Sequence, residues 1–152
     1  MLARLCVASF VNQGVAFPLY LIGILGAYAV QHMPEEEVRD LITTVYSKWL
    51  RPEQQEAMQT YISMLRLHGV ALMGVFALRT LARFVGTYRM WQGWKDGFHI
   101  YTSAQLLGML VPILIAGPKS LNILGFFIAL NWCYLYFTQR KALREFRPGA
   151  HQ

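Results

Sequence analysis

The sequence predicts an all-α membrane protein: a four-transmembrane-helix bundle with an amphipathic extracytoplasmic helix between spans one and two. Three observations predict it. Four apolar stretches, at approximately residues 6–30, 69–88, 98–116 and 121–138, have the ~20 helical residues needed to cross a hydrocarbon core of ~30 Å. Hydrophobic residues make up 55% of the 152-residue chain and charged residues 14%, against ~25% charged in a soluble domain. The remaining charges are sorted between the connections by sign. Spans occupy about half the chain, so a single membrane domain is expected, with an outer helical cap over residues 34–66 and no second domain.

The first span follows Arg4. Its apolar run through Gly26 and the triplet Ala27-Tyr28-Ala29 imitate a cleavable signal peptide; it is read as a retained span. Asn12, Gln13 and Gly14 lie in its inner half, and Pro18 predicts a kink, because proline frees a carbonyl that neighbouring helices must satisfy. Gly23 and Ala27, four apart, present a small-residue groove where another backbone can approach. Gly125 and Ala129 repeat the spacing in span four. Both pairs are expected to serve helix packing, within one bundle or across a dimer.

Residues 34–50 read as the amphipathic outer helix. Pro34 suits the first helical position, and Glu35, Glu36 and Glu37 favour the positive end of the helix dipole. Val38, Leu41, Ile42, Val45 and Trp49 then share one face, with Trp49 as an interfacial anchor. A lone helix of this length is marginal in water, so that face needs a cover. Arg51-Pro52-Glu53 ends this helix and starts the next, which meets no stop signal before about Trp91.

Span two carries unusual charge. Arg79 and Arg83 sit one turn apart, and at 1.5 Å per residue Arg79 lies about 20 Å below Arg66, inside the hydrocarbon. A cation at mid-bilayer costs at least ~2.5–3.5 kcal/mol, part of which a long side chain avoids by snorkelling. Two readings stand. Either both arginines reach the inner phosphate layer, or Arg79, Arg83, Arg89 and Lys95 form an inner-leaflet site for a lipid head, a quinone head or a partner carboxylate.

Trp91 and Trp94 mark the inner interface, and Gly93 and Gly97 are expected to permit the chain reversal before Phe98 opens span three. That span begins polar (His99, Tyr101, Thr102, Ser103, Gln105) and contains Pro112. Gly117-Pro118-Lys119-Ser120 reads as a tight outer turn. Asn131, Trp132, Tyr134 and Tyr136 occupy the inner half of span four, before a basic tail. The run Trp91-x-x-Trp94-Lys95-x-Gly97-Phe98-x-x-Tyr101-x-x-x-Gln105, then Pro112, then a span ending Tyr136-x-x-Gln139-Arg140-Lys141, resembles small uncharacterised four-span bacterial inner-membrane proteins. The resemblance covers residues 88–141. It implies an amphipathic outer loop between spans one and two and a basic aromatic hairpin between spans two and three, and it implies no catalytic residue.

Orientation follows from the charges. Arg4, Arg79, Arg83, Arg89, Lys95, Arg140, Lys141, Arg144 and Arg147 fall on one side with only Asp96 and Glu145. The other side holds Arg39, Lys48, Arg51, Arg66 and Lys119 with six acids. Basic residues stay cytoplasmic, which predicts a bacterial inner-membrane protein, N-in and C-in, with residues 31–67 extracytoplasmic. The formal charge of +6 is then a topology signal with attraction to anionic lipid, and no nucleic-acid partner is expected.

Chemistry is sparse. Cys6 and Cys133 fall inside apolar spans and form no CxxC. His32 and His68 share the outer side but lie outside their apolar spans, and His99 lies at the inner end of span three, so no pair meets the needs of a bis-histidine haem, and no phosphate loop, nucleophile elbow or HExxH occurs. None of the eight acidic residues lies in a span, which counts against proton-coupled transport. No catalytic residue, metal or cofactor is predicted; a bound phospholipid or a quinone suits the composition. The leading expectation is a non-catalytic accessory subunit of a larger inner-membrane complex, such as a respiratory one, with the bilayer and other integral subunits as partners. The alternatives are a small homodimeric transporter or channel, and a quinone- or lipid-binding component using Arg79, Arg83 and Gln105.

Overall fold

The computed structural model describes residues 1–46, 52–118 and 123–143, with backbone alone at 42, 43, 45, 46 and 52–61. Among the described residues the chain is all helical: α1 (Leu2–His32), α2 (Glu35–Tyr46), α3 (Pro52–Trp91), α4 (Asp96–Ala116) and α5 (Ile123–Thr138), then a 3-10 turn at Arg140–Ala142. Three helices are long and apolar enough to cross a membrane: α1, the Ile62–Trp91 part of α3, and α4. The expected span 121–138 corresponds to α5, a shorter apolar helix of 16 residues; residues 121 and 122 lie outside the described ones, as do Trp49 and the second half, 119–120, of the expected turn at 117–120.

The spine is α3, 40 residues without a break, because no proline follows Pro52 and each internal glycine stands alone. Helices α1 and α4 pack antiparallel along it. Down the α1–α3 seam, Ala27 meets Gly69, Gly23 faces Met73, Tyr20 stacks on Phe76 at 5.6 Å and Phe10 on Phe84 at 5.3 Å. α1 runs unbroken through Pro18. Helix α5 returns along α4, with Phe137 beside Phe98 (6.3 Å) and Tyr136 against Tyr101 (4.8 Å). Chain direction alternates through α1, α3, α4 and α5, so Met1 and Gln139 share one end of the bundle, 3.7 Å apart at Sδ and Nε2.

The α3–α4 reversal separates two glycines expected to act alike. Gly93 has φ +89°, the left-handed region where a side chain is disfavoured, and makes the turn. Gly97 already lies in α4 and serves close approach instead: a Cβ there would stand 2.6 Å from the Gly86 carbonyl oxygen and the Met90 nitrogen. Around this crossing sits the core, where Cys6, Met90, Tyr101 and Tyr136 are fully buried. Elsewhere the apolar side chains face outward, as Val11, Val15, Ile22 and Leu25 do on α1, the arrangement a lipid solvent allows.

At the other end, Glu35 accepts from Arg66 (3.3 Å), whose second amino group reaches the Met33 carbonyl at 3.4 Å. This ties the start of α2 to α3. Val38 is buried beneath it; of the other expected face residues, the side chains of Ile42 and Val45 lie outside the description and Leu41 is exposed.

Candidate functional site

Helical spacing sets Leu72, Phe76, Arg79 and Arg83 on one face of α3. That face forms the back wall of a cavity of about 430 Å³ between all four long helices. Asn12, Ala16 and Tyr20 line it from α1, and Gln105, Gly108, Met109 and Pro112 from α4. Helix α5 contributes Gly125, Phe126, Ile128, Ala129 and Trp132. The volume falls within the range of small-molecule sites, ~300–1,000 Å³.

Both arginines turn into the bundle. The Arg79 Nε donates to Gln105 Oε1 at 3.0 Å, and its Nη2 donates to the same oxygen. Gly108, one turn further along α4, leaves the room that the aliphatic stem of Arg79 occupies; a Cβ there would overlap Cδ. Gln105 and Gly108, three apart, thus build the seat: an acceptor and a gap. Arg83 is only 8% exposed. Its Nη2 donates to the Tyr101 hydroxyl (3.2 Å), with the guanidinium 5.3 Å from the ring centroid. Its Nε is buried and without a hydrogen-bond partner.

Behind Arg83, Thr87 donates to the Arg83 carbonyl (2.9 Å) and accepts from Gln13 Nε2 (3.1 Å), while Gln13 Oε1 stays unpaired. Tyr101, the partner of Arg83, stacks in turn on the Tyr136 ring. The Tyr136 hydroxyl lies 2.7 Å from Ser9 Oγ and 3.0 Å from the Leu5 carbonyl, binding α5 to α1.

Charge is the distinctive property. Arg79 lies within about 5 Å, along the axis, of the middle of the Ile62–Trp91 segment, and Arg83 about one turn below. Among the described residues no carboxylate comes within ion-pair distance of either; the ion pairs formed are Arg39–Glu35, Arg66–Glu35 and Arg89–Asp96. A buried and a half-buried cation without a counter-charge among the described residues are costly in hydrocarbon, and their chemical complement is an anion.

The four cations expected together divide. Arg79 and Arg83 share the cavity. Arg89, six residues beyond Arg83 and so on another face, pairs with Asp96 at 2.6 Å, and Lys95 precedes α4 at its N-cap. Gly23 and Ala27 face α3, whereas Gly125 and Ala129 line the cavity. Sequence reasoning marked Gln105 but missed Gly108 and the Tyr101–Arg83 pairing. The available signal was the spacing Tyr101, Gln105, Gly108, one stripe of α4 that matches Arg83 and Arg79 in reverse. Among the described residues no group of three His, Cys, Asp or Glu side chains could hold a metal ion. No family model, curated protein or solved structure matches the chain.

Proposed function

We propose that the chain is a four-span protein of the bacterial inner membrane that acts by binding: a non-catalytic component holding a lipid-like or quinone-like molecule in the cavity between its helices. The spans are α1, Ile62–Trp91, α4 and α5, with both termini cytoplasmic and α2 an amphipathic helix on the outer face. One arrangement carries the reading. Arg79 and Arg83 are held by Gln105 and Tyr101, deep in the bundle, and open onto a cavity of about 430 Å³ with no acidic residue among its described lining.

A second reading, an accessory subunit of a larger assembly, is favoured by α5. Its 16 residues extend about 24 Å, short of the ~30 Å core. Ile123, Leu124 and Phe127 remain exposed at its outer half, where a neighbouring subunit would find an apolar face. The transporter or channel reading has no comparable observation behind it.

One purification tests both readings. Protein isolated in mild detergent is analysed by mass spectrometry for small molecules and for other chains. A stoichiometric small molecule, lost from a monodisperse Arg79→Gln variant, is the result expected of a binding component. Companion chains at fixed ratio are the result expected of an accessory subunit. A single chain free of both would overturn the two readings together.

A further inference from the structure

We infer that the cavity is a seat for an amphiphile with an anionic head, carboxylate or phosphate. The head lies against Arg79 and Arg83, the tail runs along α3 toward Met64, and the molecule arrives sideways from the bilayer between α1 and α5. This rests on the binding reading above and specifies its ligand.

The polar groups of the cavity occupy one end. Arg79, Arg83, Gln105 and Asn12 cluster there, and above Arg79 the wall on α3 is apolar through Phe76, Met73, Leu72, Leu65 and Met64. A ligand that fits both ends carries charge at one and hydrocarbon at the other. Its head faces two guanidiniums one turn apart, and the buried Arg83 Nε still has a proton to donate. Guanidinium groups bind carboxylates and phosphates through just such paired N–H donors. A neutral head, quinone included, would leave both cations uncompensated.

The length suits an extended hydrocarbon chain. Arg79 and Met64 are 15 residues apart on an unbroken helix, about 22 Å along its axis. The cavity of about 430 Å³ is lined along that whole length, from Met64 to Arg79.

The path of access is lateral. Near the inner end of the bundle, Tyr136 fastens α5 to Ser9 and Leu5 of α1; further along, these two helices approach only sparsely. Asn12 on α1 and Phe126 and Ile128 on α5 both line the cavity and stay exposed, which places the opening on the lipid-facing side between the two helices.

The test uses the full chain in nanodiscs of phosphatidylcholine and two photoreactive palmitic acids, one with a diazirine near the carboxyl and one near the methyl end. Labelled peptides are mapped by mass spectrometry. The carboxyl-end probe is expected at residues 79–83 or 105–109, and the methyl-end probe at residues 64–73. Excess palmitate or monopalmitoyl glycerol phosphate should compete at least ten-fold better than methyl palmitate or monopalmitoyl glycerol, and the stronger of the two acids identifies the head as carboxylate or phosphate. Equal competition by the neutral pair, or an inverted labelling map, overturns this inference while leaving the broader binding reading in place. Labelling confined to outward residues such as Leu19 and Ile22 overturns both. The acid-against-ester comparison needs only the wild-type chain, so a misfolded arginine variant does not blunt it.

Discussion

Replacing Gly97 with alanine puts a methyl carbon where two helices already touch. The new Cβ would stand 2.6 Å from the Gly86 carbonyl oxygen and the Met90 nitrogen, and 2.9 Å from the Arg89 Cβ. Ordinary contact begins near 3.4 Å, so the shortfall is about 0.8 Å. Two of the three obstructing atoms are backbone and cannot rotate aside, so α3 and α4 must part locally. A gap of about 0.5–1 Å forfeits a quarter to a half of each pair's dispersion energy. The layer that pays is the core, where Met90 and Tyr101 are fully exposed to neither water nor lipid, at 0%. Overpacking of this kind costs ~1–3 kcal/mol, offset by the ~1 kcal/mol that alanine gains over glycine within a helix, leaving a net loss of ~0–2 kcal/mol against wild type and the full ~1–3 kcal/mol against a control that has the propensity gain alone. Gly74→Ala is the control, because its Cβ would meet nothing within 4 Å and only the propensity gain applies. Reversible unfolding of both variants in mixed micelles, followed by circular dichroism, reads the difference. A Gly97→Ala variant as stable as Gly74→Ala would refute the close-approach account of this crossing.

Two further outcomes are expected. Tyr136→Phe strips the fully buried Ser9 hydroxyl and the Leu5 carbonyl of their shared partner, a loss of ~1–3 kcal/mol; the same unfolding assay should show Ser9→Ala adding little on top, since both changes remove one contact. Reporter fusions should place Met1 and Gln139 on the cytoplasmic face and an insertion after Met33 outside, following the basic residues; termini on opposite faces would contradict the shared end seen at Met1 and Gln139.

The helical class was legible in the sequence because apolar length and turn chemistry are local properties. The absence of a stop signal after Glu53 foretold the unbroken α3, and the Pro34-Glu35-Glu36-Glu37 start foretold α2 where it begins. Gly93 was legible as a turn residue. Gly97 was not, because its role depends on Gly86, on another helix. The candidate site was legible by half. Arg79, Arg83 and Gln105 stood out as polar residues within apolar runs, but grouping Arg79 and Arg83 with Arg89 and Lys95 followed chain proximity and not helical face.

By itself, then, the order of residues determined the helices, the three stretches long and apolar enough to cross a membrane, and the deep placement of two cations. Each of these depends on composition within about twenty consecutive positions. Only the tertiary structure decided where those cations turn. A guanidinium on a flexible stem has several directions open to it, and the choice is made by what waits across the interface: the Gln105 oxygen, the gap at Gly108 and the Tyr101 hydroxyl on α4. Those partners lie 18 to 29 residues away along the chain, beyond the reach of any local pattern, and become neighbours only because α3 and α4 close to backbone contact at Gly86 and Gly97.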